Sequence, residues 1–234
     1  MQPVRVLVVD DHPFFRSGVS HWLKQQDGMV CCGEAESVQG TRKAVAELHP
    51  DLVLLDLRFK DGDGIDLAAE LTQNSPGLRI LVVSQSSEEV FAHRALQAGA
   101  RGYLMKSEAT ETMLEAIRSI MRGEIYVSRA VAARILHNLF PDPASSAPDL
   151  ALLSNRELQV FQMLGAGCRQ AQIASALKIS PKTVDTYHEN LKQKLHLPDA
   201  KAVLAAAKEW VYHGNFQPGQ QSSLSQSRSA NPTA

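Results

Sequence analysis

The sequence predicts an α/β domain with a doubly wound parallel sheet, followed by a smaller all-helical domain. Three observations carry that expectation. Over residues 1–123, five short apolar runs alternate with five amphipathic stretches, the pattern of a parallel sheet covered by helices on both faces. A Pro/Ser/Ala stretch, 141–148, then interrupts the chain without core-forming residues and reads as a semi-rigid linker. Beyond it, apolar residues recur only at helical spacing up to about Tyr212. A chain of 234 residues has room for two such domains. The boundaries read as 1–123, a connecting segment 124–149 with one helix, 150–213, and a tail 214–234.

The elements follow in order. Residues 4–9 form a β-branched strand ending in Asp10-Asp11-His12. Pro13 opens a helix to about Gln26, with Phe14, Val19, Trp22 and Leu23 at helical spacing. A strand near 30–35 precedes a helix over 37–48 capped by Ser37. Leu52-Val53-Leu54-Leu55, between Pro50 and a Gly/Asp-rich turn, reads as a strand buried on both faces that ends at Asp56. A helix over 64–73, a strand 79–83 ending in Ser84, and a helix 87–97 come next. The strand 101–105 ends in Lys106, and a helix 108–122 closes at Gly123. Right-handed crossovers and short loops favour the flavodoxin-like strand order 2-1-3-4-5. The stretch 128–139 reads as a further helix, with Val131, Ile135, Leu136 and Leu139 on one face.

Charge and cysteine usage narrow the class. Residues 1–124 hold 13 Lys and Arg against 18 Asp and Glu, a charge of −5, whereas 150–213 hold 8 against 5, a charge of +3. A basic second domain permits nucleic-acid binding without requiring it. Cys31, Cys32 and Cys168 form neither a metal-binding spacing nor an even disulfide framework, which suits a reduced cytosol. The N-terminus lacks a signal-peptide pattern and no run is long enough for a membrane helix, so a cytoplasmic protein is expected.

The strand ends carry the chemistry. Asp10, Asp11, Asp56, Ser84 and Lys106 all fall at the carboxyl ends of predicted strands, the edge where open α/β sheets bind ligands. Packed carboxylates repel unless a cation joins them, and hard oxygen donors with room for water suit Mg²⁺. Aspartate is a sensible nucleophile for a reversible acyl phosphate, with Lys106 neutralising the transferred group and Ser84 bonding it. On these residues, with Gly64 eight after Asp56, the first domain resembles the receiver domain of bacterial two-component response regulators. The resemblance implies phosphorylation of Asp56 by a sensor histidine kinase, with metal held by Asp11, Asp56 and the backbone carbonyl of Arg58 and Asp10 close by. It places Tyr103 as the switch aromatic. The chain departs from the common pattern at Lys60 and Ser107, where proline is usual, and at Gln85, where a small residue is usual. Arg58 and Gln85 flank the acceptor and are expected to tune the lifetime of the phosphoryl group. His12 reads as a surface residue at the helix start.

In the second domain, Ser154 and Glu157 form a capping box before Leu158, Phe161 and Leu164. Helices over 170–177 and 181–195, joined by Lys178-Ile179-Ser180, form a helix-turn-helix, with Val184, Leu191 and Leu195 inward, and a last helix covers 200–212. The run Gln172-Ile173-Ala174, Leu177, Ile179-Ser180, Thr183-Val184 and Tyr187 resembles the LuxR-type DNA-binding domain of the NarL/FixJ response regulators. The third helix of the domain is then expected in the major groove. Lys182, Thr183 and Tyr187 suit phosphate contacts; Asp185, Thr186, His188, Glu189 and Lys192 point outward as candidate readers. The resemblance assigns base reading to Asp185, Thr186 and Glu189. It implies double-stranded promoter DNA as partner and RNA polymerase as a candidate contact. Phosphorylation is expected to favour a homodimer through the surface of helix four, strand five and helix five, or of helix one with helix five, and the last helix, 200–212, is the expected dimer face of the DNA-binding domain. The tail, rich in Gln and Ser, reads as disordered.

Two other classes share parts of this pattern. An aspartyl-phosphate hydrolase commonly has Asp-x-Asp at its nucleophile, and here the sequence is Asp56-Leu57-Arg58. A phosphorelay adaptor whose helical domain binds protein is favoured by the acidic Asp185 and Glu189. A gel-shift with salt titration separates these from a DNA reader, which loses affinity steeply with salt; no enzymatic activity is expected.

Overall fold

Leu52–Leu55 (β3) has no residue more than 3% exposed, so it belongs inside a sheet covered on both faces. The computed structural model, which describes residues 2–139 and 150–213, places it there. The other strands are Val4–Val9 (β1), Met29–Ala35 (β2), Arg79–Ser84 (β4) and Gly102–Met105 (β5). They form one parallel sheet in the order β2-β1-β3-β4-β5, as expected. Val9 pairs with Leu55, Leu55 with Val82, and Ser84 with Met105. The residues that follow these four strands therefore emerge along one edge.

The covering helices are Pro13–Leu23 (α1), Val38–Leu48 (α2), Gly64–Asn74 (α3), Glu88–Gln97 (α4) and Ala109–Met121 (α5). α1 ends three residues before the expected Gln26. The N–H groups of Gln25 and Gln26 bond to carbonyls three residues back, at Trp22 and Leu23, and Gly28 turns the chain at φ 77°. Its apolar face also starts one residue later than expected. Phe14 is 95% exposed, while Phe15 packs on the core beside Trp22, Val19 and Leu23. Ser37 caps α2 as expected, accepting the Gly40 N–H. Gly64 is required where it stands: a Cβ there would lie 2.4 Å from the Asp56 carbonyl oxygen. α3 thus starts directly against the end of β3.

The segment after α5 also belongs to this unit. Tyr126 donates its N–H to the Arg101 carbonyl and accepts the Tyr103 N–H, both at 2.9 Å, bridging to the free edge of β5 at Gly102. Arg129–Leu139 (α6) follows, its first turn held by the Val131 N–H donating to Ser128 Oγ, and packs on α4. Val131 is buried, but Leu136, expected on the same inner face, is 59% exposed. The linker 141–148 and the tail 215–234 lie outside the described residues.

The chain divides into two compact units near residue 141. Among its described residues the second contains one 3₁₀ turn, Leu150–Leu152, and helices Asn155–Gly165 (α7), Gln170–Leu177 (α8), Pro181–Lys194 (α9) and Ala200–His213 (α10). The capping box is present. Ser154 N–H donates to Glu157 Oε2 at 2.8 Å, and Glu157 N–H donates back to Ser154 Oγ. Lys178 turns α8 into α9 with φ 56°, which gives the tight turn of the helix-turn-helix. Val184, Leu191 and Leu195 face inward as expected, against a core that includes Leu158, Phe161, Ile173, Leu177, Val203 and Trp210. Phe161 and Trp210 have ring centroids 5.7 Å apart and tie α7 to α10. Gly165 lets these helices meet, since a Cβ there would lie 2.3 Å from the Ala207 carbonyl oxygen. Among the described residues no helix is long and apolar enough to cross a membrane.

Candidate functional site

The carboxyl edge of the sheet gathers the predicted acids. Asp10 follows β1 and Asp56 follows β3, both at most 2% exposed, and Asp11 stands beside them at the start of the α1 loop. Lys106, carried in by β5, lays its ammonium between two of them: Nζ is 2.6 Å from Asp10 Oδ2 and 2.7 Å from Asp56 Oδ2. The other Asp56 oxygen accepts the Leu57 N–H at 2.7 Å. Both carboxylate oxygens of Asp56 are therefore held by donors, as a buried carboxylate requires. Asp10 is fixed from behind, since Arg16 donates to its carbonyl at 2.6 Å.

His12 lies at the surface as expected, its side chain 43% exposed, and it also reaches this cluster. It occupies the N-cap of α1, and its Nδ1 lies 2.8 Å from Asp11 Oδ1 and 3.2 Å from Asp10 Oδ1. One ligand atom from each of Asp10, Asp11, His12 and Asp56 falls within 4.8 Å of the others. Lys106 bridges two of the three carboxylates, Asp10 and Asp56, so a divalent cation would balance charge that Lys106 alone leaves over. The three carboxylates fit a hard, oxygen-preferring ion.

Ser84 and Tyr103 stand on the neighbouring strands. Ser84 is fully buried and its Oγ accepts the Ser86 N–H at 3.2 Å. Tyr103 is fully buried too, and its hydroxyl donates to the Ser86 carbonyl at 2.8 Å. Burial pushes the Tyr103 phenol far above its ordinary value, so it stays a donor. The loop after β4 is thus gripped by Ser84 through its N–H and by Tyr103 through its carbonyl. Arg58 donates to Gln85 Oε1 at 2.8 Å, joining the loop after β3 to the loop after β4. Phe15, a residue without a sequence signal for this role, places its ring centroid 4.7 Å from the Lys106 ammonium.

On α9, one exposed face carries Lys182, Asp185, Thr186 and Glu189, with Thr183, Tyr187 and Lys192 half-buried at its margin. His188, expected to point outward, is also half-buried, and burial holds its imidazole below the usual value. Neither acid is bare. Asp185 accepts from Gln170 Nε2, and Glu189 pairs with Lys192. The Thr186 hydroxyl donates to the Lys182 carbonyl, and Thr183 exchanges a bond with Ser180 at 2.7 Å.

Known proteins resemble both units. Residues 6–118 match the family described as "Response regulator receiver domain", and residues 151–206 match "Bacterial regulatory proteins, luxR family". The response regulator GacA of Pseudomonas protegens is 37% identical over 207 residues, 88% of this chain and 96% of that protein. The response regulator protein VraR of Staphylococcus aureus is 30% identical over 204 residues, 87% of this chain and 96% of VraR. Among solved structures, the RcsB response regulator of Salmonella typhimurium has a TM-score of 0.61 at 22% identity, covering 89% of this chain and 98% of its own, a likeness of fold. RcsB is also matched as two dimers bound to two parallel DNAs, with a TM-score of 0.54, 23% identity and coverage of 87% and 97%.

Proposed function

The chain belongs to the NarL/FixJ response regulators of two-component systems, a receiver domain joined to a LuxR-type DNA-binding domain that regulates transcription, and on that premise we propose that Asp56 is its phosphoryl acceptor. The observation that carries the reading is the Asp56 carboxylate at the end of β3, bonded to Lys106 and flanked by Asp10 and Asp11. The donor is a phosphohistidine of a sensor kinase. An Asp56 oxygen forms the new P–O bond, the P–N bond of the donor breaks, and the imidazole leaves with its electron pair. Lys106 neutralises charge on the phosphoryl oxygens, which is where phosphoryl transfer needs it. Asp10, Asp11, Asp56 and the Arg58 carbonyl would hold Mg²⁺, which when bound supplies a second positive charge to those oxygens.

The output follows from the loop after β4. A Ser84 hydroxyl that turns to a phosphoryl oxygen reorganises its bond from the Ser86 N–H, and Tyr103 feels the change through the Ser86 carbonyl. This biases the surface of α4, β5 and α5 between two arrangements. In the phosphorylated state the chain forms a homodimer, and α9 of each copy enters the major groove of one half-site. Lys182, Thr183 and Tyr187 contact phosphates. Asp185, Thr186, Glu189 and Lys192 face the bases, and RNA polymerase is the proposed onward contact. The place of action is the cytoplasm.

Genome-wide binding of the wild type and Asp56→Ala tests the reading, followed by salt titration on the recovered DNA. Wild-type affinity is expected to rise with a small phosphodonor and to fall linearly on a log–log salt plot. Equal response to phosphodonor in Asp56→Ala, or affinity indifferent to salt, would sink it.

A further inference from the structure

We propose that Phe15 is a positioning residue for Lys106, holding the ammonium at the acceptor site through the face of its ring. The Lys106 side chain is 6% exposed, and two of the directions around its nitrogen are taken by Asp10 Oδ2 and Asp56 Oδ2. A third side is closed by an aromatic ring, with the Phe15 centroid 4.7 Å from Nζ. That distance is inside the range over which a ring quadrupole attracts a cation, and exclusion of water strengthens the attraction.

The ring is itself fixed. Phe15 is packed against the buried cluster that includes Val6, Val8, Leu104 and Met113, so it belongs to the wall of the site. Its neighbour Phe14 is 95% exposed and shares none of this. An aliphatic residue at position 15 would fill the same wall but would offer the ammonium no counter-field.

The consequence lies in the transfer step, and it rests on the reading of Asp56 as acceptor. Before transfer, Lys106 bridges two carboxylates. After it, one Asp56 oxygen is bonded to phosphorus, and the ammonium must serve a phosphoryl oxygen instead. The Phe15 face is a partner that does not change in this exchange. It keeps Nζ close while its carboxylate bonds are rearranged, and it takes part in no bond making or breaking.

Fluorinated phenylalanines at position 15 of the full chain grade the ring quadrupole at nearly constant shape. Labelling by acetyl phosphate with saturating Mg²⁺ supplies the rate. The rate is expected to fall stepwise from phenylalanine to trifluorophenylalanine, by about threefold to tenfold in all. Phe15→Leu should fall as far and Phe15→Tyr should recover most of the loss. The Lys106 side-chain NMR signals should lose their ring-current shift in Phe15→Leu. A flat rate across the fluorinated series, in protein labelled on Asp56 alone, overturns the role of Phe15 and leaves the acceptor intact. Labelling that persists in Asp56→Ala overturns the acceptor reading itself, and the proposal with it.

Discussion

Arg58 and Gln85 are polar, long and joined to each other across the loops after β3 and β4, near Asp56, the proposed acceptor. A hydrogen bond of this kind contributes about 0.5–1.5 kcal/mol, enough to alter a rate by about two- to tenfold. We expect the bridge to shield acyl phosphate from water, so Gln85→Ala should shorten the phosphoryl lifetime by a factor in that range. Following the decay of label on Asp56 checks this, and an unchanged half-life removes the idea. At this scale, the positions of Asp10, Asp56, Ser84 and Lys106 were legible because each ends a strand or follows one directly. A strand end is a local feature, and the sheet brings four of them to one edge. Phe15 was hidden because Phe14-Phe15 presents two identical side chains, and only the rotation of α1 on the sheet decides which one faces inward. His12 does lie at the surface at the start of α1, as read, but its contacts with Asp10 and Asp11 were not legible, because they come from the loop path and not from helical position.

α7 and α9 are linked by a pair that a helix-by-helix reading does not reveal. Glu157 closes the capping box of α7 and also accepts from Lys194 Nζ at 2.7 Å, near the end of α9. The carboxylate is 2% exposed. Burial pushes the Glu157 carboxyl up, but the Lys194 ammonium and Ser154 N–H outweigh it and hold the group below its ordinary value. The unfolded chain then binds the proton more readily than the folded one. Stability from this group is present above about pH 4.3 and is lost as pH falls through the lower folded-state value. Glu157→Gln should cost about 1–3 kcal/mol at neutral pH and flatten that part of the acid dependence. Calorimetry of the full chain between neutral and acidic pH measures both, and parallel pH curves for the two proteins would count against it. The capping box itself was legible, because Ser-x-x-Glu is a short-range signal. The α7–α9 pair was not, since 37 residues separate its partners.

At the scale of the whole molecule, one small reading head covers few bases, so two copies are needed for a specific site. α10 is the proposed contact between reading heads, and Leu204 on it is only half-buried within one copy. Leu204→Asp should leave DNA contact by a single copy but abolish paired occupancy of two half-sites. Sedimentation of the phosphorylated protein with DNA of one and two half-sites decides this, and normal pairing by the variant argues for a different face. Strand order was legible because short connections leave few topologies. The pairing of Tyr126 with β5 was not, because one residue carries no periodicity. That pairing has a consequence for how such proteins exchange parts. Gene fusions that trade reading heads between regulators need a joint, and the end of the fifth helix, at Gly123, looks like the natural one. A joint there would discard the strand-like residue that closes the β5 edge, the backbone partner of Tyr103, and the buried Val131. The portable piece is therefore longer than the βα repeat suggests, and its seam lies beyond α6.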